Sequence, residues 1–273
     1  MKRRQILAAV LMALLAAALL MTLGSAAGSS AKWPAKVSSS LKKNGKLSVD
    51  ANNITEGYFQ AAVTKKTNKR LKLRVVKDKT TLDYDLNGNA EFEVFPLQLG
   101  SGKYVLTLYE QVSGSKYSSA GSVSLNAKLS SEEVCFLYPN QYVNYTKKTA
   151  AVDKAEELCG DMKKQNKYET ICNYVKTNFV YDYIKALNIK KGEMPDIDGC
   201  WKKKMGICQD LSALMCCMLR TQGLPARLMI GYADKNYHAW IAVTIGNKEY
   251  VFDPTVAVNG IGKVKKYTLE RFY

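Results

Sequence analysis

The stretch Gly206-Ile207-Cys208-Gln209-Asp210-Leu211, continuing through Met215 to Leu219, decides how the C-terminal half of this chain folds. Leu211, Leu214, Met215, Met218 and Leu219 recur at the spacing of one helix face. Gly223 stops the helix and Pro225 confirms the stop. Cys208 therefore sits at or beside the helix N-terminus. There the helix dipole and free backbone N–H groups favour an anion, so a thiolate is stabilised. A buried structural thiol is the plain alternative for any single cysteine, and it is the reading given to Cys216 and Cys217 in mid-helix.

Downstream, Pro225–Tyr232 and Tyr237–Ile245 read as strands, and the turn Gly246-Asn247 leads into Glu249-Tyr250-Val251-Phe252-Asp253-Pro254-Thr255. A two-residue hairpin loop is the natural connection. Its register sets Trp240 opposite Asp253, so His238 and Asp253 become diagonal neighbours on one face. Such neighbours are about 7–8 Å apart, within reach of an imidazole and a carboxylate. An odd loop length would separate them. His238 is the only histidine in the chain. Cys208, His238 and Asp253 are the groups that thiol catalysis needs. The thiolate attacks a carbonyl carbon, the imidazole moves the proton to the leaving amine, and the carboxylate fixes the tautomer and stabilises the cation.

Upstream, Ala150–Lys164 and Lys167–Asn178 read as amphipathic helices, and Leu187–Gly206 reads as a loop containing Gly192, Pro195 and Gly199. The period changes near Ser130. From Lys46 to about Lys128 it is mostly two, with seven candidate strands: Lys46–Ala51, Tyr58–Thr64, Leu71–Lys77, Thr80–Asp85, Ala90–Pro96, Lys103–Gln111 and Tyr117–Leu129. This half contains no His and no Cys. The expected fold class is α+β: an antiparallel, immunoglobulin-like β-sandwich over 46–129, then a second domain over 130–273. Residues 28–45 are polar and read as a tether.

At the N-terminus, Met1-Lys2-Arg3-Arg4 precedes an apolar run from Ile6 to Leu23, and small residues follow, with Ser25 and Ala27 fitting a cleavage site. Residues 1–27 read as a secretory signal. The competing reading is an uncleaved anchor, because the run is nearly long enough to span a bilayer. A secreted or cell-surface protein is expected, with membrane contact only if that segment stays. The chain of 273 residues carries a net charge of +16, so anionic wall polymers or lipid head groups are natural partners, or the lysines are simply solvated. No basic groove interleaved with aromatics argues for nucleic acid. The seven cysteines match no zinc spacing, and no metal or cofactor is expected. Being odd in number, they leave at least one thiol unpaired; Cys159 with Cys172, or Cys135 with Cys200, are pairings the sequence leaves open.

The blocks Gly206–Leu211, Leu219–Arg227, Gly231-Tyr232, His238-Ala239-Trp240 and Phe252–Thr255 closely resemble the transglutaminase-like superfamily. The resemblance covers roughly Ala150 to Tyr273 and includes the order Cys, His, Asp. It implies a papain-like α+β core, with the cysteine on a central helix and the other two residues on an adjoining sheet. The tandem with a β-sandwich looks like exported proteins of Gram-positive bacteria. Superfamily members include cross-linking enzymes, cysteine peptidases, amidases and proteins without catalysis. The animal cross-linking enzymes carry Trp directly after the nucleophile, where Gln209 stands here, and no acidic calcium loop is visible. For the oxyanion, the backbone N–H of Cys208 is one donor; Tyr181, Tyr183 or Trp201 are candidates for a second, each equally explained by core packing.

Three function classes follow. The first is an exported thiol enzyme that forms an acyl-thioester from a peptide or glutamine amide, with cell-wall peptides among the candidate substrates, and resolves it with an amine or water. The second is a non-catalytic wall-binding or interaction module. The third is an acyltransferase drawing on a small thioester donor, but such donors are cytoplasmic.

Overall fold

Alternation of apolar and polar residues governs the first half of the computed structural model, which describes residues 30–260 and 264–273. Strands β1 (Lys42–Asn44), β2 (Leu47–Asp50), β3 (Tyr58–Val63), β4 (Leu71–Lys77), β5 (Thr80–Leu86), β6 (Glu93–Pro96), β7 (Gly102–Ser113) and β8 (Lys116–Ala127) run in sequence. They form two four-stranded antiparallel sheets, ordered β1-β2-β3-β6 and β5-β4-β7-β8. On β4, Leu71, Leu73 and Val75 are buried. Lys72 and Arg74 point outward and pair across the sheet with Asp85 and Asp83. Leu47, Val49 and Phe59 of the other sheet join the same buried cluster.

Residues 31–45 depart from the expected tether. Ala35 N–H donates to the Tyr58 hydroxyl at 2.9 Å, Ser38 N–H to Asp50 at 2.6 Å, and Lys42–Asn44 enters the first sheet as β1. Buried Asp50 anchors the segment at one point, taking the Ser38 N–H on Oδ2 while Asn52 fills Oδ1. The apolar run before residue 28 lies outside the described residues. Among those described, no helix is long and apolar enough to cross a membrane.

The second half contains helices α1 (Ala150–Cys159), α2 (Lys164–Asn178), α3 (Tyr183–Asn188), α4 (Ile197–Lys203), α5 (Cys208–Thr221) and α6 (Pro254–Asn259). It also contains the strands β9 (Val180–Tyr181), β10 (Met205–Gly206), β11 (Ala226–Ala233), β12 (Asn236–Ile245), β13 (Lys248–Phe252) and β14 (Tyr267–Phe272). Helix α5 is buried from Asp210 to Thr221. The antiparallel sheet beside it has the order β13-β12-β11-β14. The first expected helix ends early, at Cys159, because Gly160 turns the backbone to φ +43°. The expected loop 187–206 is partly regular. Asp196 accepts the Gly199 N–H at 2.8 Å and caps α4, and β10 pairs in parallel with β9. Helices α3 and α6 and strand β14 have no counterpart in the sequence periodicity. All seven cysteines are free, so neither disulfide pairing forms.

The boundary expected near residue 130 does not separate two cores. Ala31–Tyr273 is one compact unit, and one buried cluster runs from Leu47 to Tyr273. Tyr273 stacks on Tyr142 at 3.5 Å and meets Tyr84 edge-on at 6.0 Å. Arg220, with no exposed surface, donates to the carbonyls of Ala226, Tyr138 and Tyr273 at 2.7–2.9 Å. This guanidinium satisfies three backbone acceptors from separate segments and locks the end of α5 to β14 and to the 134–145 segment.

Candidate active site

Cys208 is the first residue of α5, half-buried at a helix start whose backbone N–H groups are unsatisfied by the helix itself. The start is held by Asp210, which has no exposed surface. Its carboxylate accepts the Ile207 N–H at 3.1 Å and the Asp196 N–H at 2.9 Å, and pairs with Lys185 Nζ at 2.8 Å. Gln209 Nε2 donates to the Glu193 carbonyl at 3.0 Å, tying the same turn to the 189–196 loop. The helix pattern points to Cys208; nothing in the sequence announces the Asp210–Lys185 pair, since the partners lie on separate elements.

The β12–β13 hairpin has the expected two-residue turn, with Ile245 opposite Lys248 and Ile241 opposite Phe252. One step further places Asp253 opposite Trp240, at the start of α6. His238 Nε2 lies 2.7 Å from Asp253 Oδ2. An ionised carboxylate only accepts, so Nε2 carries the proton and Nδ1 is left for the thiol. Asp253 Oδ1 accepts the N–H groups of Thr255 and Val256 at 2.9 and 3.1 Å. Its Oδ2 also accepts from the Tyr267 hydroxyl at 2.8 Å. Tyr267 comes from β14, so strand order rather than any local motif brings it here.

The electrostatics follow. Burial alone would lower the His238 pKa, but hydrogen bonds to Asp253 and Cys208 and the attraction of both outweigh it, and it rises to about 9. Burial opposes ionisation of Asp253, yet the bonds from His238, Val256 and Tyr267 hold its carboxyl below the usual range. Burial pushes the thiols of Cys135, Cys172, Cys200 and Cys216 up to about 12, and those of Cys159 and Cys217 upward as well. Cys208 is thus the one cysteine that is both reachable and set against an imidazole.

The candidate oxyanion donors separate in space. Tyr181, on β9 beside Gly206, lines the cavity with Cys208, and burial plus the Cys208 charge pushes its phenol up to about 12. Tyr183 is largely exposed and bonds Asn259. Trp201 packs against Tyr174 and Phe179, under Lys204 Nζ at 3.2 Å, and is not among the residues lining the two cavities beside Cys208. Two cavities of about 570 and 130 Å³ adjoin Cys208, and both include Gly192, Glu193, Gln209, Tyr237 and Arg271. Among the described residues, no three His, Cys, Asp or Glu side chains gather as a metal site.

A thiol at a buried helix start, packed beside an antiparallel sheet that carries an imidazole and a carboxylate, defines a class of α+β domain. Residues 152–254 match the family model of that class, the transglutaminase-like superfamily, so a transglutaminase-like domain occupies this part of the chain. Solved structures similar to the chain include a candidate cysteine protease from Cytophaga hutchinsonii, 18% identical, covering 76% of this chain and 82% of that one with a TM-score of 0.40. The periplasmic domain of TgpA from Pseudomonas aeruginosa, bound to ethylmercury, is 15% identical, covering 83% and 78% with a TM-score of 0.38. Red sea bream transglutaminase is 13% identical, covering 72% of this chain and 48% of its own with a TM-score of 0.30. No curated protein matches the sequence.

Proposed function

We propose that this protein is an exported thiol enzyme in which Cys208 is the nucleophile, His238 the general acid and base, and Asp253 the group that orients the imidazole. The observation that carries the reading is the hydrogen-bonded run His238–Asp253–Tyr267, with His238 and Cys208 lining the same cavity. The Cys208 sulfur attacks the carbonyl carbon of a peptide or glutamine amide. The tetrahedral oxyanion is met by the Cys208 N–H and the Tyr181 hydroxyl. His238 protonates the leaving nitrogen, the C–N bond breaks, and an acyl-thioester remains on Cys208. An incoming amine or water gives its proton to His238 as it attacks the thioester, the C–S bond breaks, and the Cys208 sulfur and His238 return to their starting state.

The proposed substrates are peptides or proteins at the cell surface, including wall peptides, in keeping with the N-terminal signal and the positive net charge. We read the two N-terminal sheets as an immunoglobulin-like sandwich. What supports this is that β4, β5 and β7 belong to one sheet while β3 and β6 belong to the other, so the chain crosses between sheets repeatedly. The test of function is incorporation of a labelled primary amine into a glutamine-containing protein, run beside release of fragments from peptide substrates. Either activity, abolished by Cys208→Ala, supports the reading and tells transfer from hydrolysis. Neither activity in the intact protein, across acidic and neutral peptides, speaks against it.

A further inference from the structure

Arg271 lies on β14 and lines both cavities beside Cys208. Its position depends on an irregularity in the sheet. Leu269 pairs with Gly231, but Arg271, not Glu270, pairs with Ile230. Glu270 is the extra residue of a β-bulge, and a bulge re-aims the side chains that follow it. In an unbroken register the acid Glu270 would stand opposite Ile230, which lines the smaller cavity. The bulge puts a guanidinium there instead.

The guanidinium is positioned without a countercharge. Its Nη2 donates to the Tyr237 hydroxyl at 2.6 Å, and among the described residues it forms no ion pair. The acid that shares its cavities, Glu193, is engaged elsewhere. One oxygen is 3.8 Å from Lys185 Nζ and the other accepts the Lys190 N–H at 3.4 Å. Lys190 and Lys191 add positive charge to the larger cavity. A planar, permanently charged fork beside the reacting thiol is suited to a carboxylate.

Resting on the function proposed above, we propose that Arg271 is a specificity-determining residue that binds a carboxylate on the acyl donor, close to the carbonyl that Cys208 attacks. The substrate is then an acidic peptide amide rather than a neutral one. Arg271 takes no part in moving protons.

Two alkylating reagents of nearly the same size test this without a known substrate. Iodoacetate carries a carboxylate beside its reactive carbon, and iodoacetamide carries a neutral amide there. With each, the Cys208 sulfur forms the S–C bond and iodide leaves with the bonding pair. The other six cysteines are buried, and Cys208→Ser supplies the blank. The measured quantity is the ratio of the iodoacetate rate to the iodoacetamide rate in intact protein. Arg271→Gln is expected to lower it about tenfold, the worth of one charge-assisted contact, while the iodoacetamide rate changes less than about twofold. Arg271→Lys is expected to recover part of the ratio. A ratio unchanged in Arg271→Gln overturns the proposal, as does an equal fall in both rates, which would mean a general disturbance of the thiol. The ratio can be read at any absolute rate. Slow alkylation by both reagents would count against the activated thiol, and the ratio would still decide the role of Arg271.

Discussion

Asp253 is satisfied on every side: two backbone N–H groups on one oxygen, His238 and Tyr267 on the other. Removing its charge while keeping its shape should uncouple the imidazole. Asp253→Asn is expected to lower kcat about 10³-fold or more with little change in KM, measured on whichever amide substrate is turned over. Tyr267→Phe removes one bond to a charged group and should cost about 1.5 kcal/mol of stability by urea unfolding. The His238 pKa of about 9 lies above its ordinary 6.5. Protonated His238 therefore contributes stability that is full below about pH 6.5 and is lost as the pH rises through about 9. In the proposed mechanism the proton for the leaving amine comes from His238, so the alkaline limb of kcat/KM should fall near the same value. At this scale the sequence is informative. The only histidine, a two-residue turn and a helix start are enough to bring together His238, Asp253 and Cys208. Tyr267 and Arg271 are not legible in it, because their places depend on a strand and a bulge that no local pattern marks.

Helix α5 owes its start to a carboxylate buried within its first turn. Lys185→Met would leave Asp210 as an uncompensated buried charge, with only backbone N–H donors left to it. The expected loss is about 3 kcal/mol by urea unfolding, together with slower alkylation of Cys208 as its turn loosens. Gly231 matters for another reason. A Cβ there would come within 2.1 Å of the Thr268 carbonyl oxygen and 2.9 Å of Glu270 N, both backbone atoms. Gly231→Ala should therefore push β14 away from β11, displacing Tyr267 and Arg271 together while α5 stays folded. Long periodic elements such as α5, β4 and β12 can be read from their spacing. Short ones cannot. The two-residue strands β9 and β10 and the helices α3, α4 and α6 are too brief for a period to show, and they exist because caps and neighbours hold them.

At the scale of the molecule, the change of period near residue 130 marks a change of architecture without a change of core. A composition shift reports which elements form; it does not report whether their apolar faces share one interior. Tyr273, Tyr142 and Tyr84 fill the space between the N-terminal sheets and the half that carries Cys208, and Arg220 draws Tyr138 and Tyr273 onto α5. A fragment spanning 130–273 is therefore expected to lack a cooperative unfolding transition, whereas independent domains would give one. Arg220→Met removes the guanidinium from the Ala226 and Tyr138 carbonyls, while the Tyr273 carbonyl keeps the Leu228 N–H, and should destabilise the whole chain by about 3 kcal/mol.

The proposed chemistry depends on activation of Cys208 by His238 and Asp253. The direct measurement is the rate of Cys208 alkylation by iodoacetamide against pH, in the intact protein and in His238→Ala. The expected result is a rate at pH 7 at least about tenfold above that of an ordinary exposed thiol, lost in His238→Ala, with the His238 titration near pH 9 visible in the wild-type profile. A wild-type rate that follows an ordinary thiol and is unchanged in His238→Ala would contradict it.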